Sequence, residues 1–159
     1  MKARLAASVA LALGIALAGT GCSMITYQAT TEQYDASDGV SADVGELDLR
    51  NVLVISEDGE SGNLLMTVVN NGADDVELSV QYAGGGTTEI VPIDAGSIVV
   101  FGTGDAETEE QVEPTLLTGI DTEPGAMMPI YFQYGGEPGV EVQVPVLDGG
   151  LPEYAAYVP

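Results

Sequence analysis

The chain has 159 residues, of which 25 are acidic, three are basic and none is histidine, for a formal net charge of −22. Such a surface repels nucleic acid, whose binding depends on Lys and Arg at phosphates, and it is pushed away from anionic lipid. Without histidine there is no Ser-His-Asp or Cys-His catalysis and no zinc site with imidazole ligands.

The N-terminus begins Met1-Lys2-Ala3-Arg4, and an apolar run from Leu5 to Ala18 follows, broken only by Ser8 and Gly14. Gly19, Thr20 and Gly21 then lead to Cys22, the single cysteine. A basic start, a short apolar segment and a small-residue exit make a secretory signal peptide over residues 1–21, which the sequence predicts as a signal helix. The run is shorter than the roughly 20 residues a membrane span needs. "LAGTGCSM" resembles the lipobox of bacterial lipoproteins, with Gly19 standing where a leucine is usual. The resemblance implies cleavage before Cys22 and lipidation of its thiol, which becomes the membrane anchor. Of the cations, only Arg50 would then remain, against all 25 acids. No second cysteine is present, so no intrachain disulfide is expected.

Residues 22–45 are small and polar and read as a lipidated tether, with one short strand expected at 25–29. A flexible tether of that length has a root-mean-square span of about 25 Å. From residue 46 the pattern changes. "VELSVQY" places Val76, Leu78, Val80 and Tyr82 on one face, and "VEVQVPV" does the same with Val140, Val142, Val144 and Val146. Such alternation belongs to half-buried strands. "ELDLRNVLVIS", "NLLMTVVN", "TTEIVPI", "SIVVF", "TLLT" and "MMPIYFQY" read as further strands, separated by turn signals such as "EDGESG", "NNGADD", "AGGG" and "GGEPG". No segment after the signal has a helical period. The expected fold is all-β, an antiparallel β-sandwich of cupredoxin- or immunoglobulin-like form over residues 46–146. Residues 147–159 form a tail whose Tyr154 and Tyr157 are expected to pack on the sandwich edge.

Five acids, Asp105, Glu107, Glu109, Glu110 and Glu113, fall in one loop. The loop reads as solvated, with a weak Ca2+ site as its alternative chemistry, although it lacks EF-hand spacing. Beyond residue 21 no lysine and no histidine remain, so the bases available are carboxylates and tyrosines. A carboxylate pair is the only hydrolytic option. "GGG" at Gly84–Gly86 lacks the Lys and Ser/Thr of a phosphate loop and reads as a turn. No catalytic, cofactor-binding or metal residue is assigned, and the domain is not expected to be an enzyme.

From about Leu47 to Val146 the segments "LLMTVVNNGADDVELSV", "VPIDAGSIVVF" and "EPGAMMPIYFQYGGEPGVEVQVPV" resemble the periplasmic copper(I) chaperones of the PCuAC type. That resemblance implies a cupredoxin-like sandwich, and in the family paired histidines and methionines hold the metal. The family's two ligand-bearing segments would fall near "QYAGGGTTEIVPI" and after "SIVVF", and neither region contains histidine or methionine here, so no ligand carries over. Met66 reads as core, and Met127 and Met128 read as pointing to opposite faces of a strand. The chain ends in "VPVLDGGLPEYAAYVP" at Val144–Pro159, and with this ending the whole also resembles lipoproteins of actinobacteria. The expected function is therefore a cell-envelope lipoprotein, membrane-anchored at Cys22 on the extracytoplasmic side, whose acidic sandwich meets an envelope protein partner or serves structurally. The alternatives are metal handling, through residual copper or weak Ca2+ binding, and a carboxylate-based hydrolase.

Overall fold

A computed structural model describes residues 2–19, 34–102 and 110–159. They fall into two units, one ending at Tyr34 and one spanning Asp35–Pro159. In the first, helix α1 covers Lys2–Gly19. The strand expected at 25–29 lies outside the described residues.

The second unit is all-β. Its strands are β1 (Val40–Val44), β2 (Leu47–Ile55), β3 (Ser61–Asn70), β4 (Val76–Tyr82), β5 (Thr87–Ile93), β6 (Ile98–Phe101), β7 (Glu110–Val112), β8 (Thr115–Thr118), β9 (Met127–Tyr134) and β10 (Val140–Leu147). They hydrogen-bond in the order β5-β4-β9-β10-β2-β3-β6-β7, with β1 added on β2 and β8 on β3. The expectation of a purely antiparallel arrangement is corrected here. β10 runs parallel to β2, and β6 parallel to β7, so the sheet is mixed. β10 joins the two halves. It pairs with β9 from Val140 to Pro145, and then its last residues, Val146 and Leu147, turn to β2. The result is one sheet curled into a half-barrel around a single core.

The alternation in the sequence fills that core. Leu78, Val80 and Tyr82 of β4 meet Met128, Ile130 and Phe132 of β9 and Val144 and Val146 of β10, all essentially inaccessible to water. Each such side chain contributes about 1.5–3 kcal/mol through burial. Met66 is buried among them, while Met127 is half exposed and Met128 buried, as their positions in the strands require. Tyr82 is inside with its hydroxyl satisfied, because its oxygen accepts the Thr118 N–H at 3.2 Å. "GGG" falls in the turn between β4 and β5, a 3-10 segment over Ala83–Gly85 capped by Gly86, with Gly84 at φ +66°, a conformation that glycine adopts without steric cost.

The domain boundaries read from the sequence are too narrow at both ends. At the N-terminal side β1 lies within the expected tether, and its Val44 is fully buried. It is held by a bulge in β2, where Asn51 takes φ +50° and its Oδ1 accepts the Gly39 N–H at 2.9 Å. Asparagine tolerates this left-handed conformation better than most residues. The bulge also adjusts the two faces of β2. Leu47 and Leu49 join the main core before it and Val52 and Val54 after it, while Leu53 and Ile55 point to the other face.

That other face explains the C-terminal segment. Tyr154, Tyr157 and Val158 cover Leu53, Ile55 and Leu65, so the segment lies over the outer face of β2 and β3 rather than along an edge. Asn63 Nδ2 donates to the Tyr157 carbonyl at 2.9 Å, and the Tyr154 hydroxyl donates to Asp38 Oδ2 at 2.8 Å. The clasp thus ties the last residues to those just before β1. Burial first, then the Asp38 carboxylate and Glu153, push the Tyr154 phenol up to about 12. Unfolding returns it to about 10. The stabilisation is therefore complete below pH 10 and is lost as pH rises from 10 to 12. In an alkaline absorbance titration, Tyr154→Phe is expected to remove a tyrosinate transition near pH 12 and to flatten the stability loss in that window.

Candidate functional site

The anchor residue predicted from the sequence, Cys22, lies outside the described residues, and so does Met24. Helix α1 ends three residues before Cys22 and carries no acidic residue in its first turn. Leu5, Val9, Leu11, Leu13 and Ile15 are each more than half exposed, so the helix is apolar around its surface rather than on one stripe. Among the described residues no helix is long and apolar enough to cross a membrane.

Of the acidic loop, Asp105, Glu107 and Glu109 lie outside the described residues. Glu110 begins β7, whose backbone pairs with β6, and Glu113 is exposed just beyond it. Among the described residues no group of three or more carboxylate or thiol side chains is placed to hold a metal ion.

Several other acids lie in turns at the ends of the strands. One open cleft of about 650 Å3 is lined by Asp75, Glu77 and Asp94 beside Tyr134. Several of its polar groups hold neighbouring segments together. Asp75 Oδ1 accepts the Ala95 N–H at 2.8 Å, and the Asp94 carbonyl accepts from Ser97 Oγ at 2.7 Å. The Tyr134 hydroxyl accepts the Glu46 N–H at 3.0 Å. At the opposite end Asp58 accepts the N–H groups of Glu60 and Ser61, which hold its carboxyl below the usual carboxylate value. Arg50 is paired, 2.7 Å from Asp43 and 3.4 Å from Asp48, and it also donates to the Ala42 carbonyl. No free cation therefore remains among the described residues of the second unit.

A different surface lies between these acidic ends. β5, β4, β9 and β10 turn one face to the core and the other to solvent. On the solvent side the register places Thr88, Gln81, Tyr131 and Glu141 in one row across all four strands. The next row carries Ile90, Ser79 and Gln133. On the other flank Gln143 stands opposite Pro129. Glu77 and Glu141 are the only charged residues that the four strands point outward. Tyr131 is 36% exposed. Its ring lies against the backbone of Gly139, where an added Cβ would overlap the ring carbons and hydroxyl. The alternation of "MMPIYFQY" puts Tyr131 on the solvent side. Its seat on Gly139 depends on the β9–β10 turn and has no local signature.

No protein-family model matches the chain, and no curated protein matches it either.

Proposed function

We propose that the chain is a non-catalytic cell-envelope lipoprotein, cleaved before Cys22, lipidated on that thiol and held on the extracytoplasmic face of the membrane. Its acidic all-β domain meets another envelope component through its surface. The observation that carries this reading is the sequence order at the N-terminus: two cations, an apolar run, Gly19-Thr20-Gly21, and then the only cysteine. The apolar surface of α1 supports it, and so does the absence of histidine and of any lysine after Lys2 from the whole sequence. The finer form of the domain belongs to the same proposal. The halves β5-β4-β9-β10 and β2-β3-β6-β7, wrapped around one core, are taken as a variant of the cupredoxin- or immunoglobulin-like sandwich.

Mass spectrometry of the protein extracted from membranes tests the anchor directly. The N-terminal peptide is expected to begin at Cys22 and to carry the mass of a diacylglycerol. An unmodified thiol at that position in the mature protein would sink the proposal.

A further inference from the structure

We infer that Asn71 is a deamidation site, where the side-chain amide converts to a carboxylate, and that the buried Asn70 amide beside it sets the rate of that conversion. The inference is independent of how the chain is anchored and of what its domain meets.

The chemistry is intramolecular. The Gly72 backbone N–H loses its proton to solvent base, its nitrogen bonds to Asn71 Cγ, and the side-chain nitrogen leaves as ammonia. Water then opens the succinimide ring at either carbonyl, giving aspartate or isoaspartate. No cofactor enters and nothing is oxidised or reduced. A side chain on the following residue obstructs the approach of its nitrogen, so glycine is the most permissive successor. The chain has four asparagines, and only Asn71 precedes a glycine. Asn51 and Asn63 precede Val52 and Leu64, and Asn70 precedes Asn71. Asn71 is also the only one of the four that is exposed, in the turn between β3 and β4.

The fold creates both the site and its restraint. A Cβ on Gly72 would stand 2.8 Å from Glu46 Oε2 and 3.1 Å from Asn70 Oδ1. The missing side chain lets Asn70 Oδ1 accept the Gly72 N–H at 2.9 Å. Attack requires the proton to leave and the nitrogen to swing toward Asn71 Cγ, and both motions break that bond. Asn70 is held in place, because it is 2% exposed and its Nδ2 donates to the Asp74 and Asp94 carbonyls. The reacting amide is restrained as well. Asn71 Nδ2 donates to the Glu46 carbonyl at 3.3 Å, and the same oxygen accepts the Asn71 N–H at 3.0 Å. Deamidation replaces this donor with a carboxylate and adds a charge beside Glu46. The isoaspartate form also lengthens the main chain by a methylene. The product therefore loosens the tie between the β3–β4 turn and the β1–β2 turn.

The test incubates the full chain in non-ionic detergent at mildly alkaline pH, with and without urea. Peptide mass mapping follows the mass gain of amide-to-acid conversion at each asparagine. The Asp–Gly pairs at Asp38, Asp58 and Asp148 close the same ring by losing water and regain it on opening, so they leave the mass unchanged. Asn71 is expected to convert before the other asparagines. In the folded chain it should do so at least about fivefold more slowly than in urea, the scale of one hydrogen bond. Asn70→Ala is expected to raise the folded rate about fivefold. Leu117→Ala, which truncates the core at the other end of β3, should leave that rate unchanged, because the restraint is local. Equal rates in the folded and urea-treated chain overturn the inference, as does earlier conversion of another asparagine. An unchanged rate in Asn70→Ala with a native circular dichroism spectrum also overturns it. So does Leu117→Ala accelerating the reaction as much as Asn70→Ala, which would make global unfolding the cause. If Asn70→Ala does not fold, the comparison of the natural chain with and without urea decides alone.

Discussion

Cys22→Ala is expected to move the protein from the membrane fraction to the medium, or to leave it unprocessed with its signal attached. Acyl chains hold a protein to a bilayer through about 0.8 kcal/mol per buried methylene, so one chain binds marginally and two bind stably. Nothing else in the described residues offers comparable attraction. The apolar run from Leu5 to Ala18 makes a helix about 21 Å long at 1.5 Å per residue, against a hydrocarbon core of about 30 Å. The rest of the chain carries 25 acids, which an anionic leaflet repels. Losing the thiol therefore removes nearly all membrane affinity instead of reducing it. Cys22→Ser serves as the closest steric match and should behave the same way, because its hydroxyl is not the thiol that the lipid attaches to. Fractionation of cells expressing the three forms reads the outcome. A processed Cys22→Ala chain that stays with the membrane and resists carbonate washing would mean that something other than lipid at Cys22 holds it.

The strands were legible where burial on one face imposes alternation. The boundaries of β4, β5, β8 and β9 coincide with the periodic segments "VELSVQY", "TTEIVPI", "TLLT" and "MMPIYFQY". β1 was not legible, because "VSADV" has no strong local preference. It exists through distant partners: the Asn51 amide on Gly39, Arg50 on Asp43 and the Ala42 carbonyl, and the main core around Val44. β7 was missed for a related reason. Its three residues are held by pairing with β6 and by the Gly102 N–H on the Val112 carbonyl at 3.1 Å. The run "VLVI" in β2 did carry a signal, since four consecutive apolar residues mean burial on both faces. The sequence does not say what covers the second face, which is the C-terminal clasp some hundred residues away. The β10–β2 pairing was invisible because it joins strands far apart in the chain, and the β6–β7 pairing because the three residues of β7 are too few to show a period. The anchor motif is wholly local, whereas the outward row through Tyr131 needs four strands in register.

Asn70 gives the sharpest test of the fold. It ends β3, is 2% exposed, and joins three stretches of chain with one side chain. Its Nδ2 donates to the Asp74 carbonyl at 3.0 Å and the Asp94 carbonyl at 3.1 Å, while its Oδ1 accepts the Gly72 N–H at 2.9 Å. The amide therefore fixes the turn into β4 and ties it to the turn between β5 and β6. Asn70→Ala strands these backbone groups in a buried place and is expected to cost about 2–3 kcal/mol. Asn70→Asp should cost more at pH 7 despite its near-identical shape. The aspartate keeps the contact with Gly72 but aims a carboxylate oxygen at two carbonyl oxygens, which neither donates nor escapes to water. Its folded-state pKa is therefore raised above the unfolded value of about 3.9. Stability of this variant falls as pH rises from that value through the folded one, and returns as the acid is protonated and can donate again. Urea unfolding of both variants beside the natural chain, at pH 7 and at the lowest pH where all three remain soluble, reads the effect. The Asn70→Asp deficit relative to Asn70→Ala is expected to shrink on acidification. An Asn70→Asp chain as stable as the natural one at pH 7 would show that the two carbonyl contacts do not hold the turns.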